Sequence, residues 1–213
     1  MSANKSSSKI IILLLATLLF ATAFIFIARG PAQQSIPRDL VAVMRPVATS
    51  LKPFTLTDKN EKPFNLQNFK GKWSFVFFGY THCPDICPTT LHVLKQINKI
   101  LEKYPQAKKD FQVIFVSVDP ERDTPKGLGE YVSFFNKDFI GVTASSDTLL
   151  SFAKQFSAAY IKEPAEKSGD YLVSHTSSIF LVNPAQKLLA SFSPPLVAET
   201  ITEQYLKIYN MKL

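Results

Sequence analysis

The sequence feature that most constrains the fold is a short apolar run at residues 73–80, WSFVFFGY, which leads directly to the only two cysteines of the chain. An uncharged run of this length, rich in aromatic residues, is typical of a strand buried on both faces, as in parallel sheets covered by helices. After the cysteines, apolar residues recur at helical spacing from Leu91 to Leu101. The cysteines are therefore predicted to lie at a strand-to-helix junction.

The remaining pattern predicts an α/β fold with a mixed central sheet. Residues 111–118, FQVIFVSV, form a second candidate buried strand, and Thr124-Pro125 indicates the cap and first residue of a helix that continues to Phe135. Strand, helix, strand and helix in this order imply parallel pairing. The other expected elements are an edge strand within 41–47, a hairpin at 54–66 with Asn60 in a left-handed turn, a helix at 147–160, a hairpin at 178–192 and a helix at 198–209.

The N-terminal part of the chain predicts a membrane anchor. Residues 10–28 are nineteen uncharged positions, and a helix of that length roughly matches the hydrocarbon core of a bilayer. Lys5 and Lys9 precede the segment and Arg29 alone follows closely, which places residues 1–9 in the cytoplasm. So short a leader does not fit a mitochondrial presequence. We therefore expect a single pass through the cytoplasmic (inner) membrane of a bacterium, with the C-terminal domain in the periplasm.

An alternative for this segment is a cleaved signal peptide, because Ala21-Thr22-Ala23 resembles a small-residue cleavage site. An uncleaved anchor fits better, since the apolar run continues through Ile27. Residues 29–50 contain several Pro and Gln with little periodicity and are expected to form a linker. Residues 51–213 are then one domain.

Charge and cysteine content argue against two classes of protein. The net charge is +7, but the basic residues form no block and are not interleaved with aromatic residues, which does not favour nucleic-acid binding. The two cysteines, Cys83 and Cys87, are four positions apart and cannot join distant parts of a disulfide-rich fold. Their role is expected to be local chemistry.

Cys83 and Cys87 lie in the segment THCPDICP, residues 81–88. Near a helix N-terminus, free N–H groups and the helix dipole stabilise a thiolate, which is the form that binds soft metals. Pro84 and Pro88 are tolerated in the first helical turn and so place the helix start beside the cysteines. Positions i and i+4 of a helix bring Cβ atoms to about 5–6 Å, so both sulfurs can bind one ion.

A third ligand has to come from elsewhere, and the chain has three histidines. His82 adjoins Cys83 and is expected to point elsewhere, while His92 lies about 180° around the helix from Cys83. His175 occupies a polar loop just before a predicted strand, from which it can reach the helix N-terminus. It is the best candidate by elimination. Two thiolates and a neutral imidazole suit Cu(I) and also tolerate Cu(II), so copper is the expected cofactor.

Four segments resemble the Sco/SenC family of copper proteins, within a match over roughly residues 54–209. They are NFKGKW at 68–73, FGYTHCPDICP at 78–88, SVDPERDTP at 117–125 and SHT at 174–176. The resemblance implies a thioredoxin-like fold with an N-terminal membrane anchor and copper ligands at Cys83, Cys87 and His175. It also implies a metallochaperone that assists assembly of the copper centre of cytochrome c oxidase. The expected partners are the copper-containing subunit of that oxidase, other periplasmic copper chaperones and thiol reductants.

The chain departs from the family pattern in two places, and neither removes a ligand. Asn60-Glu61 stands where glycine is common in the first hairpin, and Ser174 precedes the histidine where an acidic residue is frequent. Asp119 ends a central strand and is expected to accept a hydrogen bond beside the site or to act as a weak extra ligand. The alternative for this stretch is that Asp123 and Thr124 simply cap the next helix.

Other functions stay open for the same residues. Cys83 and Cys87 are also a candidate redox disulfide, in a thiol-disulfide oxidoreductase or peroxidase that keeps the oxidase cysteines reduced, although their spacing differs from Cys-x-x-Cys enzymes. A copper-responsive sensor would share the site and differ downstream. An inert pair or a stabilising disulfide is a weaker alternative, because so small a loop constrains little of the unfolded chain.

Overall fold

The computed structural model describes residues 13–22, 24, 36–165 and 169–211. The chain divides into two compact units, Met1–Pro37 and Arg38–Leu213. In the first unit, residues 13–22 form a helix with exposed apolar side chains, such as Leu19 and Phe20. Across the part of the chain that is described, no helix combines the length and the apolar character that crossing a membrane requires. Both ends of the predicted anchor at 10–28 lie outside the described residues.

The second unit is the predicted α/β fold, a mixed sheet flanked by helices. Its strands are β1 (Met44–Ser50), β2 (Thr55–Asp58), β3 (Pro63–Asn65), β4 (Trp73–Gly79), β5 (Phe111–Ser117), β6 (Ile140–Thr143), β7 (Tyr160–Lys162), β8 (Val173–His175), β9 (Ile179–Val182) and β10 (Lys187–Phe192). Its helices are α1 (Ile86–Ile100), α2 (Pro105–Lys109), α3 (Pro125–Phe135), α4 (Ser146–Phe156) and α5 (Ala198–Asn210), with 3-10 turns at Arg38–Leu40, Leu66–Asn68 and Leu101–Lys103.

Eight strands form one sheet in the order β1-β10-β9-β4-β5-β6-β2-β3, and β7 pairs with β8 in a separate two-stranded sheet. The pairs β4–β5 and β5–β6 are parallel, as predicted, whereas β9 lies antiparallel to β4 on its other side. All seven residues of β4 are buried. Because β4 and β5 are parallel and in register, Gly79 lies opposite Ser117 at the shared carboxyl edge of the sheet. The connections that follow these two strands therefore emerge side by side.

Two predicted elements are confirmed with changed ends. The first hairpin pairs β2 with β3, but the left-handed residue is Glu61, with φ of 59°, rather than Asn60. The Asp58 carboxylate accepts hydrogen bonds from the N–H groups of Asn60 and Lys62, so the chain reverses one residue later. The helix expected to reach residue 160 ends at Phe156, because Ser157 adopts a left-handed conformation that closes the last turn.

The predicted edge strand is also present. β1 pairs antiparallel with β10, and Leu40 and Met44 are buried. The second compact unit consequently begins at Arg38, inside the segment 29–50 that was expected to be a linker. A short edge strand shows little alternation of apolar and polar residues, because its pairing depends mainly on the neighbouring strand.

Candidate metal centre

Cys83 and Cys87 lie on the connection from β4 to α1. The helix begins at Ile86, so Cys83 precedes it and only Cys87 lies in its first turn, which corrects the expectation of two helical cysteines. The N–H of Cys83 donates to the carbonyl of Tyr80 at 3.3 Å, and the N–H of Cys87 donates to Sγ of Cys83 at 3.4 Å. The first sulfur therefore accepts one of the free N–H groups at the helix start.

The sulfur of Cys87 packs directly on strand β4, and this residue is fully buried. A Cβ atom added at Gly79 would lie 2.6 Å from that sulfur and 2.8 Å from the ring of Phe115. Only glycine leaves this space free. Sequence reasoning did not single out Gly79, although a glycine ending a run of bulky residues was a visible signal.

His175 is the last residue of β8 and not, as predicted, part of a loop. It pairs with Tyr160 in the small β7–β8 sheet. Its ring lies edge-on to the rings of Phe77 and Tyr80, with centroids 5.8 and 6.0 Å away. Nδ1 lies 3.2 Å from the carbonyl of Thr176, and Nε2 lies 3.5 Å from Sγ of Cys87. The backbone contact thus leaves Nε2 directed at the cysteines.

The three predicted ligands lie together. The sulfurs of Cys83 and Cys87 and a ring nitrogen of His175 are all within 4.8 Å of one another. Two ligands at ~2.3 Å from one ion are at most about 4.6 Å apart, so this donor set can hold a metal ion after a contraction of a few tenths of an ångström. Among the described residues, the other two histidines do not join this group: His82 contacts Thr81 and His92 contacts Gln96.

The two thiols differ in acidity because they share a hydrogen bond. The thiol of Cys87 donates to Cys83, which together with the N–H groups of Asp85 and Cys87 and a contact to His175 lowers the pKa of Cys83 to about 4. The same hydrogen bond, with burial, raises the pKa of Cys87. At neutral pH the pair therefore holds one half-buried thiolate and one buried thiol. The second thiol ionises when a cation replaces its proton.

The carboxylate of Asp119 is fully engaged by protein donors beside the site. This residue is 3% exposed and accepts hydrogen bonds from Nε of Arg122 at 2.6 Å and from the hydroxyl of Tyr171 at 2.7 Å. It does not belong to the group of three ligands. Its expected role as a weak extra ligand stays a prediction.

The helix-capping alternative holds for Thr124 only. The side chain of Thr124 accepts the N–H of Gly127 at 3.1 Å and caps α3. The carboxylate of Asp123, 2% exposed, instead accepts hydrogen bonds from the N–H and hydroxyl of Thr81 and from the hydroxyl of Ser117. Asp123 thereby holds the chain two residues before Cys83, a role that sequence reasoning missed.

The site opens to solvent through a cleft of about 360 Å³. Cys83 and His175 line it together with Ile86, Leu172 and Glu163. Ile86 and Leu172 are exposed apolar side chains on opposite elements. A bound ion would therefore be within reach of a second molecule.

Residues 43–210 match the model of the SCO1/SenC family, which is most of the chain. The chain belongs to this family. The mouse mitochondrial protein named SCO2 homolog is 32% identical over 176 residues, covering 83% of this chain and 69% of the mouse protein. The solved structure of Arabidopsis thaliana ScoI with copper bound is 33% identical, with a TM-score of 0.69, covering 73% of this chain and 95% of that one.

A third Sco relative adds a redox property. The solved structure of BsSco is described as a member of the Sco family of cytochrome c oxidase assembly proteins with a disulfide switch. It is 27% identical to this Sco chain, with a TM-score of 0.61, and covers 79% of this chain and 98% of that one. The agreement with these structures supports the thioredoxin-like fold that the resemblance implied.

Proposed function

We propose that this Sco protein binds copper through Cys83, Cys87 and His175 and delivers it to the copper centre of cytochrome c oxidase. The observation that carries the proposal is the convergence of two sulfurs and one imidazole nitrogen within 4.8 Å, with Cys83 and His175 lining an open cleft. The copper-bound relative from Arabidopsis thaliana supports the choice of metal.

The chemistry of the donor set favours copper as cargo. Thiolates are soft ligands that select Cu(I), and imidazole also suits copper. The thiolate of Cys83 is available at neutral pH, and Cys87 releases its proton on binding. A three-ligand site beside a cleft leaves room for a ligand from an acceptor protein, so copper can leave by ligand exchange. The proposed acceptor is the copper-containing subunit of the oxidase.

The proposal is tested by anaerobic titration of the full-length protein with Cu(I) against a chromophoric chelator. Loss of a ligand should weaken binding at least as much as loss of a supporting contact, which costs about 10–100-fold. His175→Ala should therefore show at least a tenfold lower affinity. His92→Ala is the matched control, because that histidine is exposed on α1 and contacts Gln96. Equal affinity in His175→Ala and the control would contradict a three-ligand site.

A second candidate function is thiol-disulfide exchange, favoured by the hydrogen bond between the two cysteines and by the disulfide switch of BsSco. The half-buried thiolate of Cys83 is the group that would attack a partner disulfide. To separate the functions, copper-loaded and metal-free reduced protein are each mixed with the oxidase subunit, and its copper and thiol contents are followed. Thiol reduction without copper transfer would favour the redox function.

The proposal includes a single-pass anchor at residues 10–28 that holds the domain on the periplasmic side of a bacterial inner membrane. The charge-free sequence and the exposed apolar side chains of helix 13–22 support it. Two separate measurements test this: alkaline extraction of isolated membranes, and protease treatment of intact spheroplasts. An anchored protein should stay with the membranes after extraction and be digested from outside. Release of the intact protein by alkali would contradict the anchor.

A further inference from the structure

One connection in the fold forms hydrogen bonds with both of the chain segments that carry the donor set. It runs from Ser117, the last residue of β5, to Asp123, shortly before α3. It emerges beside residues 80–87, the cysteine turn, because β4 and β5 are parallel neighbours. Two buried carboxylates on this connection, Asp119 and Asp123, point their hydrogen bonds in different directions. Each reaches a residue close in sequence to a metal ligand.

Asp123 holds the cysteine side. Its carboxylate accepts the N–H of Thr81 at 3.0 Å and also the hydroxyl of Thr81. Thr81 precedes Cys83 by two residues, so this contact sets where the chain turns from β4 toward α1. The hydroxyl of Ser117 donates to Asp123 at 2.6 Å and accepts the N–H of Asp119 at 3.1 Å. Ser117 therefore links the carboxylate of Asp123 to the backbone of Asp119.

Asp119 holds the histidine side through Tyr171. The Tyr171 hydroxyl donates to Asp119 at 2.7 Å, and the guanidinium of Arg122, itself bound to Asp119, lies 3.6 Å from the centre of the Tyr171 ring. The ammonium of Lys162 lies 3.9 Å from the same ring centre. Lys162 belongs to β7, and Tyr171 lies two residues before β8, so these contacts involve both sides of the small sheet that carries His175.

We propose that Tyr171, with Asp119 and Arg122, is a positioning group that holds His175 at the distance from the cysteines that metal binding needs. The inference rests on the proposed copper site and assigns residues that act on it through His175. A two-stranded sheet with three-residue strands is marginal by itself, so its position depends on contacts of this kind. Supporting contacts of this type typically contribute about 10–100-fold to metal affinity.

The test is a double-mutant cycle on the full-length protein, with Cu(I) alone as the probe and a competing chelator. Tyr171→Leu should lower Cu(I) affinity about tenfold or more in the wild-type background. In the His175→Ala background it should have no further effect, because the residue it positions is gone. Tyr171→Phe, which keeps the ring and removes only the hydroxyl, should give a smaller loss. It also replaces Tyr171→Leu in the cycle if the latter does not fold.

The matched control is Tyr104→Phe, because Tyr104 is an exposed tyrosine between α1 and α2. NMR of the metal-free protein gives a second readout. The His175 ring lies edge-on to two aromatic rings, so its resonances should shift in Tyr171→Leu but not in the control. An equal loss with and without His175 would overturn the inference, as would unchanged affinity and unshifted resonances. Failure of His175→Ala itself to weaken binding would instead overturn the proposed copper site.

Discussion

The cysteine turn and the histidine hairpin, which is the antiparallel pair β7 and β8, form one candidate site but are held in place in different ways. Cys83 lies between a fully buried strand and a fifteen-residue helix, Cys87 lies in the first turn of that helix, and the contact between them spans four residues of sequence. His175 ends a three-residue strand outside the main sheet. Its strand is tied to the body by residues far away in sequence, including Tyr80, whose hydroxyl accepts the N–H of Val173.

The two halves of the site should therefore respond to different perturbations. Cys87, at the end of the cysteine turn, is embedded in the core, so changes around it should cost global stability as well as a ligand. The hairpin has only three residues in each strand and lies outside the main sheet, and small peripheral segments of this kind open locally. Changes at the hairpin should therefore loosen one ligand while the rest of the fold stays intact.

The largest effect is expected from removing a cysteine. Cys87→Ala should lower Cu(I) affinity by more than the roughly 100-fold upper range of a supporting contact, because it deletes a soft ligand and leaves one thiolate. Competition titration measures this, with His175→Ala alongside. A smaller loss for Cys87→Ala than for His175→Ala would reverse the proposed ranking of the two halves.

The next largest effect is expected at Gly79, which packs against the sulfur of Cys87. Gly79→Ala would place a methyl group 2.6 Å from the sulfur of Cys87 and should destabilise the protein by about 1–3 kcal/mol. Urea unfolding measures it. Gly127→Ala is the control, since its added Cβ would come no closer than 3.2 Å to the Thr124 hydroxyl. Equal stability of the two variants would show that the turn can relax and is not embedded as described.

A smaller and more local effect is expected at the hairpin. Tyr80→Phe removes the acceptor of the Val173 N–H, and one such hydrogen bond contributes about 1 kcal/mol. Hydrogen exchange should become faster around Val173 while α1 stays protected. Tyr205→Phe is the matched control, because its buried hydroxyl donates to the carbonyl of Ala107. Exchange that rises equally throughout the domain in Tyr80→Phe would argue against separate opening of the hairpin.

The smallest change is expected in the pH dependence of Cys83. Its pKa is lowered to about 4, so the thiolate persists as pH falls and is protonated only as pH passes through that value. The alkylation rate of Cys83 should change less than about twofold between pH 6 and 8, whereas the alkylation rate of an ordinary thiol rises about 100-fold over this range. Rates of iodoacetamide labelling at that residue test this.

Cys87→Ala should restore a steep dependence, because the thiol that donates to Cys83 is the main cause of the lowered pKa. A flat profile in that variant would show that the helix N-terminus alone holds the thiolate.

Local patterns predicted the parts of the fold that local interactions determine. Apolar run length predicted the buried strands that begin at Trp73 and Phe111, and the order of strands and helices predicted their parallel pairing. Capping chemistry predicted the helix cap at Thr124. The structure confirms all three. The differences lie where tertiary contacts dominate: the predicted edge strand within 41–47 is present but runs from Met44 to Ser50, and β8 was predicted as a loop. Both segments are short, and their pairing depends on a neighbour that no sequence window contains.

Periodicity and proline placement are local properties, so the amino-acid sequence was enough to predict that two cysteines follow a buried strand at a helix start. It also narrowed the third ligand to His175 by elimination. The folded domain was needed to show that His175 reaches the cysteines from a small separate sheet. It was also needed to show that Asp119 and Asp123, on one connection, accept hydrogen bonds from Tyr171 and Thr81. Contacts between residues more than forty positions apart depend on which strands become neighbours, and packing of the whole domain settles that choice.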